Sequence, residues 1–209
     1  MQTDCVDAES PSINLNNSFA VALRAHGDRL KDAHRPAEAI PVLREAASLF
    51  RECIANPSRD TQRQFVHALK SLRTSLMASD QVQAAVEVSH ETVSLLRQLA
   101  AINPEVHRPD LAESLETLGN DLTHVQQTAE ALAATTEAVE IFRSLGADIS
   151  DEGRMSLALA LKDLANHHLE RGEFSSAAEA ADEAAALFRA LSPDHTEWAR
   201  CHLMMTLFT

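Results

Sequence analysis

Columns of residues spaced 46 apart run through this chain, and no other property narrows its fold as far. Ala39, Ala85, Ala131 and Ala177 form one column, and Leu23, Leu69, Leu115, Leu161 and Leu207 a second. Phe50, Leu96, Phe142 and Phe188 form a third, and Arg51, Arg97, Arg143 and Arg189 a fourth. The four columns keep register with no insertion between copies. A fixed period of about 20 to 50 residues marks a stack of supersecondary units, each covering the apolar flank of the next. Such a stack offers a long surface rather than an enclosed pocket, so a search for function begins on that surface.

Composition says what the units are made of. The 209 residues are 45% apolar but only 4% aromatic, with no Tyr and one Trp, Trp198. A core of Leu, Ala and Val suits closely packed helices better than a β-sandwich. Five Gly and seven Pro leave little turn chemistry for hairpins. The formal net charge of −13 argues against nucleic acid or an anionic membrane as the main partner, because both select basic surfaces. It fits a neutral or basic protein partner. Cys5, Cys53 and Cys201 are odd in number, far apart and without a CxxC pair. They predict no disulfide framework and a reducing, cytoplasmic setting. Neither an apolar leader nor an apolar run of membrane-spanning length is present.

Each period holds two helical patterns. In the third, Pro109 is placed at a first helical position, and Leu111, Leu115, Leu118 and Leu122 follow at helix spacing. After a break at Val125-Gln126-Gln127, Ala131, Leu132, Ala138, Val139, Ile141, Phe142 and Leu145 form a broad apolar face that Gly146 ends. In the fourth, Ser150 with Asp151 and Glu152 opens a helix that runs to about Arg171. Gly172 turns the chain into a second helix from about Ser175 to Leu191. The first two periods turn near His34-Arg35-Pro36 and Ser79-Asp80, and Ser58 and Ser192 are further N-cap candidates. The expectation is four antiparallel pairs of helices of roughly 16 to 20 residues, or about 24 to 30 Å each. They form a single array over residues 1–209, with repeats at about 12–57, 58–103, 104–149 and 150–195 and a partial fifth at 196–209. Residues 1 to about 13 read as an inter-repeat linker, since Pro11 lies 46 before Pro57. The unfinished helix at the other end predicts a segment of a longer array or, as the alternative, a half-repeat that caps the stack.

These residues resemble a tetratricopeptide repeat (TPR) array. The third copy carries the likeness best, with Leu115, Leu118-Gly119, Leu122, Ala131 and Ala138 at the signature spacings. The fourth matches with Leu161, Leu164-Ala165, Gly172, Phe174, Ala177 and Ala184, and the first with Leu23, Gly27, Leu30, Ala39 and Ala46. The second is weaker, with Leu69, Leu72, Leu76 and Ala85 but Thr92 in place of the last Ala. The resemblance implies an all-α, right-handed α-solenoid in which small residues at Gly27, Gly119 and Ala165 let the first helix approach the second. The alanines at 39, 85, 131 and 177 are expected to receive it. Three features depart from the pattern. The period is 46 rather than 34, similar to the long-period arrays appended to large signalling ATPases. Arg73 occupies a small-residue slot, and Pro41 falls inside a second helix.

The resemblance also implies a function: a protein-interaction scaffold whose first helices line a concave groove for a peptide or helix of a partner. The groove-facing positions are then Arg24, Asp28, Lys70, Thr74, Glu116, Asn120, Lys162 and Asn166, with Lys31, Met77, Thr123 and Leu169 farther along. Lys70, Asn120, Lys162 and Asn166 partly echo the clamp with which some family members grip a C-terminal carboxylate, while Glu116 and Asp28 oppose an anion. Nothing in the sequence supports catalysis, a metal or a cofactor. There is no HExxH, GxSxG elbow or Gly-rich phosphate loop, and His167-His168 point about 100° apart on a helix. Glu45, Glu87, Glu91, Glu137, Glu140, Glu179, Asp182 and Glu183 read as a solubilising outer face. The Arg column reads as structural, complementing helix C-termini and pairing with an acid of the adjacent repeat. An alternative reading is self-association, with a second copy covering the apolar stretch Leu203 to Phe208 within residues 198–209.

Overall fold

The computed structural model describes residues 11–53, 58–146 and 150–191, and from residue 15 onward their side chains. These form eight helices: α1 (Pro11–Asp32), α2 (Pro36–Glu52), α3 (Arg59–Ala78), α4 (Val82–Ile102), α5 (Pro104–His124), α6 (Thr128–Ser144), α7 (Asp151–Glu170) and α8 (Phe174–Ala190). No strand occurs among the described residues. The chain divides into two compact units, Met1–Val88 and Ser89–Thr209. The partial fifth repeat, with Ser192, Trp198 and Leu203 to Phe208, lies outside the described residues.

The long period has a local cause. First helices span 20 to 22 residues and second helices 17 to 21, joined within a pair by only three residues. The added length therefore lies in the helices. The serine caps predicted at Ser58 and Ser150 form: Ser58 Oγ accepts from Thr61 N at 3.1 Å, and Ser150 Oγ from Gly153 N at 3.2 Å. The second helices α2, α6 and α8 have no side-chain cap. Their entry is fixed by the end of the preceding helix. At each of the four turns one residue adopts a left-handed conformation: His34 (φ 57°), Asp80 (φ 58°), Gln126 (φ 60°) and Gly172 (φ 74°). The next N–H reaches back five residues, from Arg35 to Leu30 O, Gln81 to Leu76 O, Gln127 to Leu122 O and Glu173 to His168 O, at 2.9 to 3.0 Å. This is a Schellman closure, repeated every 46 residues.

In the first unit α1 packs on α2, and α2 on α3. Leu30, Ala39, Ile40, Leu43, Leu72, Leu76 and Ala85 form one buried cluster, and the Phe50 and Phe65 rings meet tilted, 5.9 Å between centroids. In the second unit α5 packs on α6, α6 on α7, and α7 on α8. The Ala column and the Phe50/Leu96/Phe142/Phe188 column are buried throughout the described copies. Leu69, Leu115 and Leu161 are buried too, whereas Leu23 stays partly exposed.

Three expectations need correction or completion. Pro109 does not start a helix: α5 begins five residues earlier, where Pro104 sits in the first turn and needs no N–H partner, and Pro109 lies inside it. Pro41 likewise lies within α2, on its exposed side, where water can reach the carbonyl left without a donor. The close approach at the small-residue slot is made one turn beyond the alanine column. A Cβ on Gly27 would stand 2.5 Å from Leu43 Cγ, and one on Gly119 would stand 2.3 Å from Thr135 Oγ1 and 3.3 Å from the Ala131 carbonyl oxygen. Arg73, in the same slot, keeps partial exposure while Leu72 and Leu76 are buried, so its stem runs outward.

The Gly119 contact yields a first prediction. Gly119→Ala gains about 1 kcal/mol of helix propensity but forces Thr135, which has no exposed surface, to move. Overpacking of this kind costs about 1 to 3 kcal/mol, so a net loss of about 1 kcal/mol is expected. Adding Thr135→Ala removes the clashing hydroxyl, and urea denaturation of the four proteins in the cycle should show a favourable coupling of about 1 kcal/mol or more. Additive losses would show that the two residues do not meet.

Candidate functional site

All eight groove candidates lie on first helices: Arg24 and Asp28 on α1, Lys70 and Thr74 on α3, Glu116 and Asn120 on α5, Lys162 and Asn166 on α7. Each keeps at least partial exposure. In the first unit the structure gathers Arg24 and Asp28 into a network. Asp28 accepts from Arg24 and, at 2.6 Å, from Ser71 Oγ, with Lys31 Nζ 3.6 Å away. Arg24 Nη1 also lies 3.0 Å from His67 Nδ1. Burial, its largest cause, holds the His67 pKa below the ordinary histidine value, and Arg24, Lys31 and Lys70 act in the same direction against Asp28. Thr74 turns its hydroxyl back to the Lys70 carbonyl at 2.9 Å. The Asp28 and Arg24 charges largely answer one another.

The second unit holds a groove of about 380 Å³ between α5 and α7. Asn120 and Thr123 line it from α5, and Asp163, Asn166, His167, Leu169 and Glu170 from α7. Asp163, Asn166, His167 and Glu170 stand at i, i+3, i+4 and i+7, one continuous stripe of the helix. An apolar stripe there would bury another helix of the same stack; a polar one leaves hydrogen-bonding groups along a cleft. Thr123 donates to the Gly119 carbonyl at 2.9 Å. Lys162 is absent from the lining, and its ammonium lies 3.0 Å from Asp163. The lining thus carries two carboxylates and no basic side chain, apart from the histidine.

His167 is the residue that sequence reasoning set aside. It is 3% exposed, and neither ring nitrogen has a hydrogen-bond partner. Its nearest acid, Glu170 Oε2, is 4.0 Å from Nδ1. Burial is the main cause holding its pKa below the ordinary histidine value, against the opposing pull of Glu170 and Asp163, and so favours the neutral imidazole. His168 differs, pairing with Glu173 at 2.6 Å. The available signal was position: residues 75, 121 and 167 share one register, and all three are buried polar residues.

On the outer side the Arg column pairs across repeats as expected. Arg97 bonds Glu137, 40 residues on, and Arg143 bonds Glu183 at the same interval. Two acids read as purely solubilising therefore join neighbouring second helices. Among the described residues no group of three or more His, Cys, Asp or Glu is placed to hold a metal ion. No helix among them is long and apolar enough to cross a membrane.

These features define a TPR-like array of helix pairs, an all-α fold of the solenoid class. No protein-family model matches the chain, and no curated protein matches it. Solved structures do. A candidate kinesin light chain of Podosopora anserina with nearly identical TPR-like repeats superposes with a TM-score of 0.65, and a point variant of that protein with 0.67. Both are 16% identical, covering 91% of this chain and 86% of theirs. BtubC (BKLC) from P. vanneervenii gives a TM-score of 0.55 at 16% identity, covering 94% of this chain and 84% of that one. At this identity the likeness is one of fold.

Proposed function

We propose that the chain is a non-catalytic protein-interaction module of the cytoplasm, built as one repeated array over residues 1–209, and that it takes a peptide or helix of a partner protein on its first-helix face. The observation that carries this is the α5–α7 groove. Asn120 and Asn166 stand across it at equivalent positions of successive copies. An Asn side chain both donates and accepts, so such a pair can hold a backbone amide of a guest segment. Leu169 supplies apolar contact beside them. A stiff helix stack loses little ordering entropy when it binds, which favours this use of the surface.

A photo-crosslinking amino acid at Asn166, compared with one at exposed Glu179 on α8, tests the reading in source cells. The groove position is expected to capture a distinct protein, and Asn120→Ala should cut that product by about tenfold, the worth of roughly one or two lost hydrogen bonds. Identical products from Asn166 and Glu179, or none from Asn166, would overturn it.

A further inference from the structure

Residues 75, 121 and 167 share one register and are all buried polar residues. In two of these copies the protein supplies the partner itself. Ser75 Oγ donates to the Ser71 carbonyl at 3.0 Å, and Asp121, fully buried, accepts from Ser89 Oγ at 2.6 Å. In the fourth copy that arrangement is open. Thr135 stands where Ser89 stood, 46 residues on, and its buried hydroxyl has no partner; nor has either nitrogen of His167. A buried polar group left unpaired is costly, so whatever satisfies it is favoured. His167 is also the one member of this register that lines the α5–α7 groove together with two carboxylates, Asp163 and Glu170.

We propose that this groove selects a partner segment presenting a lysine or arginine side chain, with its cationic group set between Asp163 and Glu170 and one N–H donated to the free ring nitrogen of His167. The inference rests on the groove being the binding surface and names the guest's chemistry. A neutral imidazole keeps one acceptor nitrogen, which matches a cationic donor and gives a carboxylate nothing. The imidazole's own N–H remains for a backbone carbonyl of the guest. The neighbouring charges agree. Lys162 is engaged by Asp163, and His168 and Arg171 are engaged by Glu173. Glu116 adds a further acid on α5. The guest cation shares Asp163 with Lys162, which makes Glu170 its less contested counter-charge.

Three pools of bead-bound nonapeptides test this. Each carries a fixed central residue, arginine, its neutral isostere citrulline, or glutamate, with the other eight positions randomised. Labelled full-length chain is applied, and an Asn120→Ala/Asn166→Ala double variant marks the groove-dependent part. That part should favour arginine over citrulline by about fivefold or more, as expected for a partly desolvated charge contact. Asp163→Asn with Glu170→Gln should remove the preference. The chain's net charge of −13 attracts every cationic bead, but Asp163→Asn with Glu170→Gln alters it by only two, so non-specific attraction survives that change. Groove-dependent capture that is equal for arginine and citrulline, or stronger for glutamate, overturns the inference and leaves the groove standing. Capture that never depends on Asn120 and Asn166 overturns both.

Discussion

Phe142→Ala is expected to destabilise the second unit by about 3 kcal/mol, whereas Arg143→Ala, the adjacent residue in an equally regular column, should cost no more than about 1 kcal/mol. Both positions repeat every 46 residues, so periodicity alone ranks them equally. Physical chemistry does not. Phe142 is 2% exposed, and truncating a buried Phe usually costs about 3 to 5 kcal/mol in lost transfer energy and cavity. The lower end applies because the ring borders a cleft of about 300 Å³ that it shares with Pro109, Glu113 and Leu145, so water can enter the space left behind. Arg143 raises its own pKa by bonding Glu183, but the two side chains are 52% and 38% exposed. Solvent and salt screen such a pair. Urea denaturation followed by helix circular dichroism separates the cases, and an Arg143/Glu183 double-mutant cycle should give a coupling below about 1 kcal/mol. Comparable losses for the two single variants would mean the Arg–Glu pairs carry the stack.

The contrast shows what was legible in the sequence. Helix pairs, their register and most of their core could be read because burial recurs with the period: Ala39, Ala85, Ala131 and Ala177 each had to meet the same neighbour. The caps at Ser58 and Ser150 were readable for a local reason, since a hydroxyl accepts from an N–H three residues on in the same chain. The start of α5 was misplaced because Pro104 and Pro109 both suit a first turn, and the helix begins at the first of them. The α5–α7 groove was half legible. Asn120 and Asn166 were implied by the resemblance to TPR arrays, but Asp163, His167 and Glu170 were not. Their importance lies in which face α7 turns to α5 and in a hydrogen bond that is not made. Ser89–Asp121 and Thr135–His167 read alike as pairs of polar residues, yet only the first pair closes. The turns were located, but their left-handed residues were hidden, since three of the four are not glycine.

Those three residues carry the last prediction. Replacing His34, Asp80 and Gln126 together by glycine should stabilise the chain by about 2 kcal/mol. A left-handed backbone costs a residue with a Cβ about 1 to 2 kcal/mol, and glycine returns part of that gain through the larger entropy of its unfolded state. A net gain of about 0.5 to 1 kcal/mol per turn remains, and sites 46 residues apart should add. All three side chains are exposed, so little packing is lost. The gains should be unequal. Asp tolerates this conformation better than Gln, but at Asp80 the substitution also removes a negative charge from a helix C-terminus, where the dipole disfavours it. Gln126 lacks the tolerance of Asp for this conformation and should respond clearly. Gly172→Gln is the inverse experiment, introducing at the fourth turn the residue found at the third, and should lose about 1 kcal/mol. Urea denaturation of the triple variant, each single variant and Gly172→Gln checks both signs. A triple variant no more stable than the parent, or a harmless Gly172→Gln, would mean the repeating turn is held by the helices around it and not by the conformational preference of the residue at its bend.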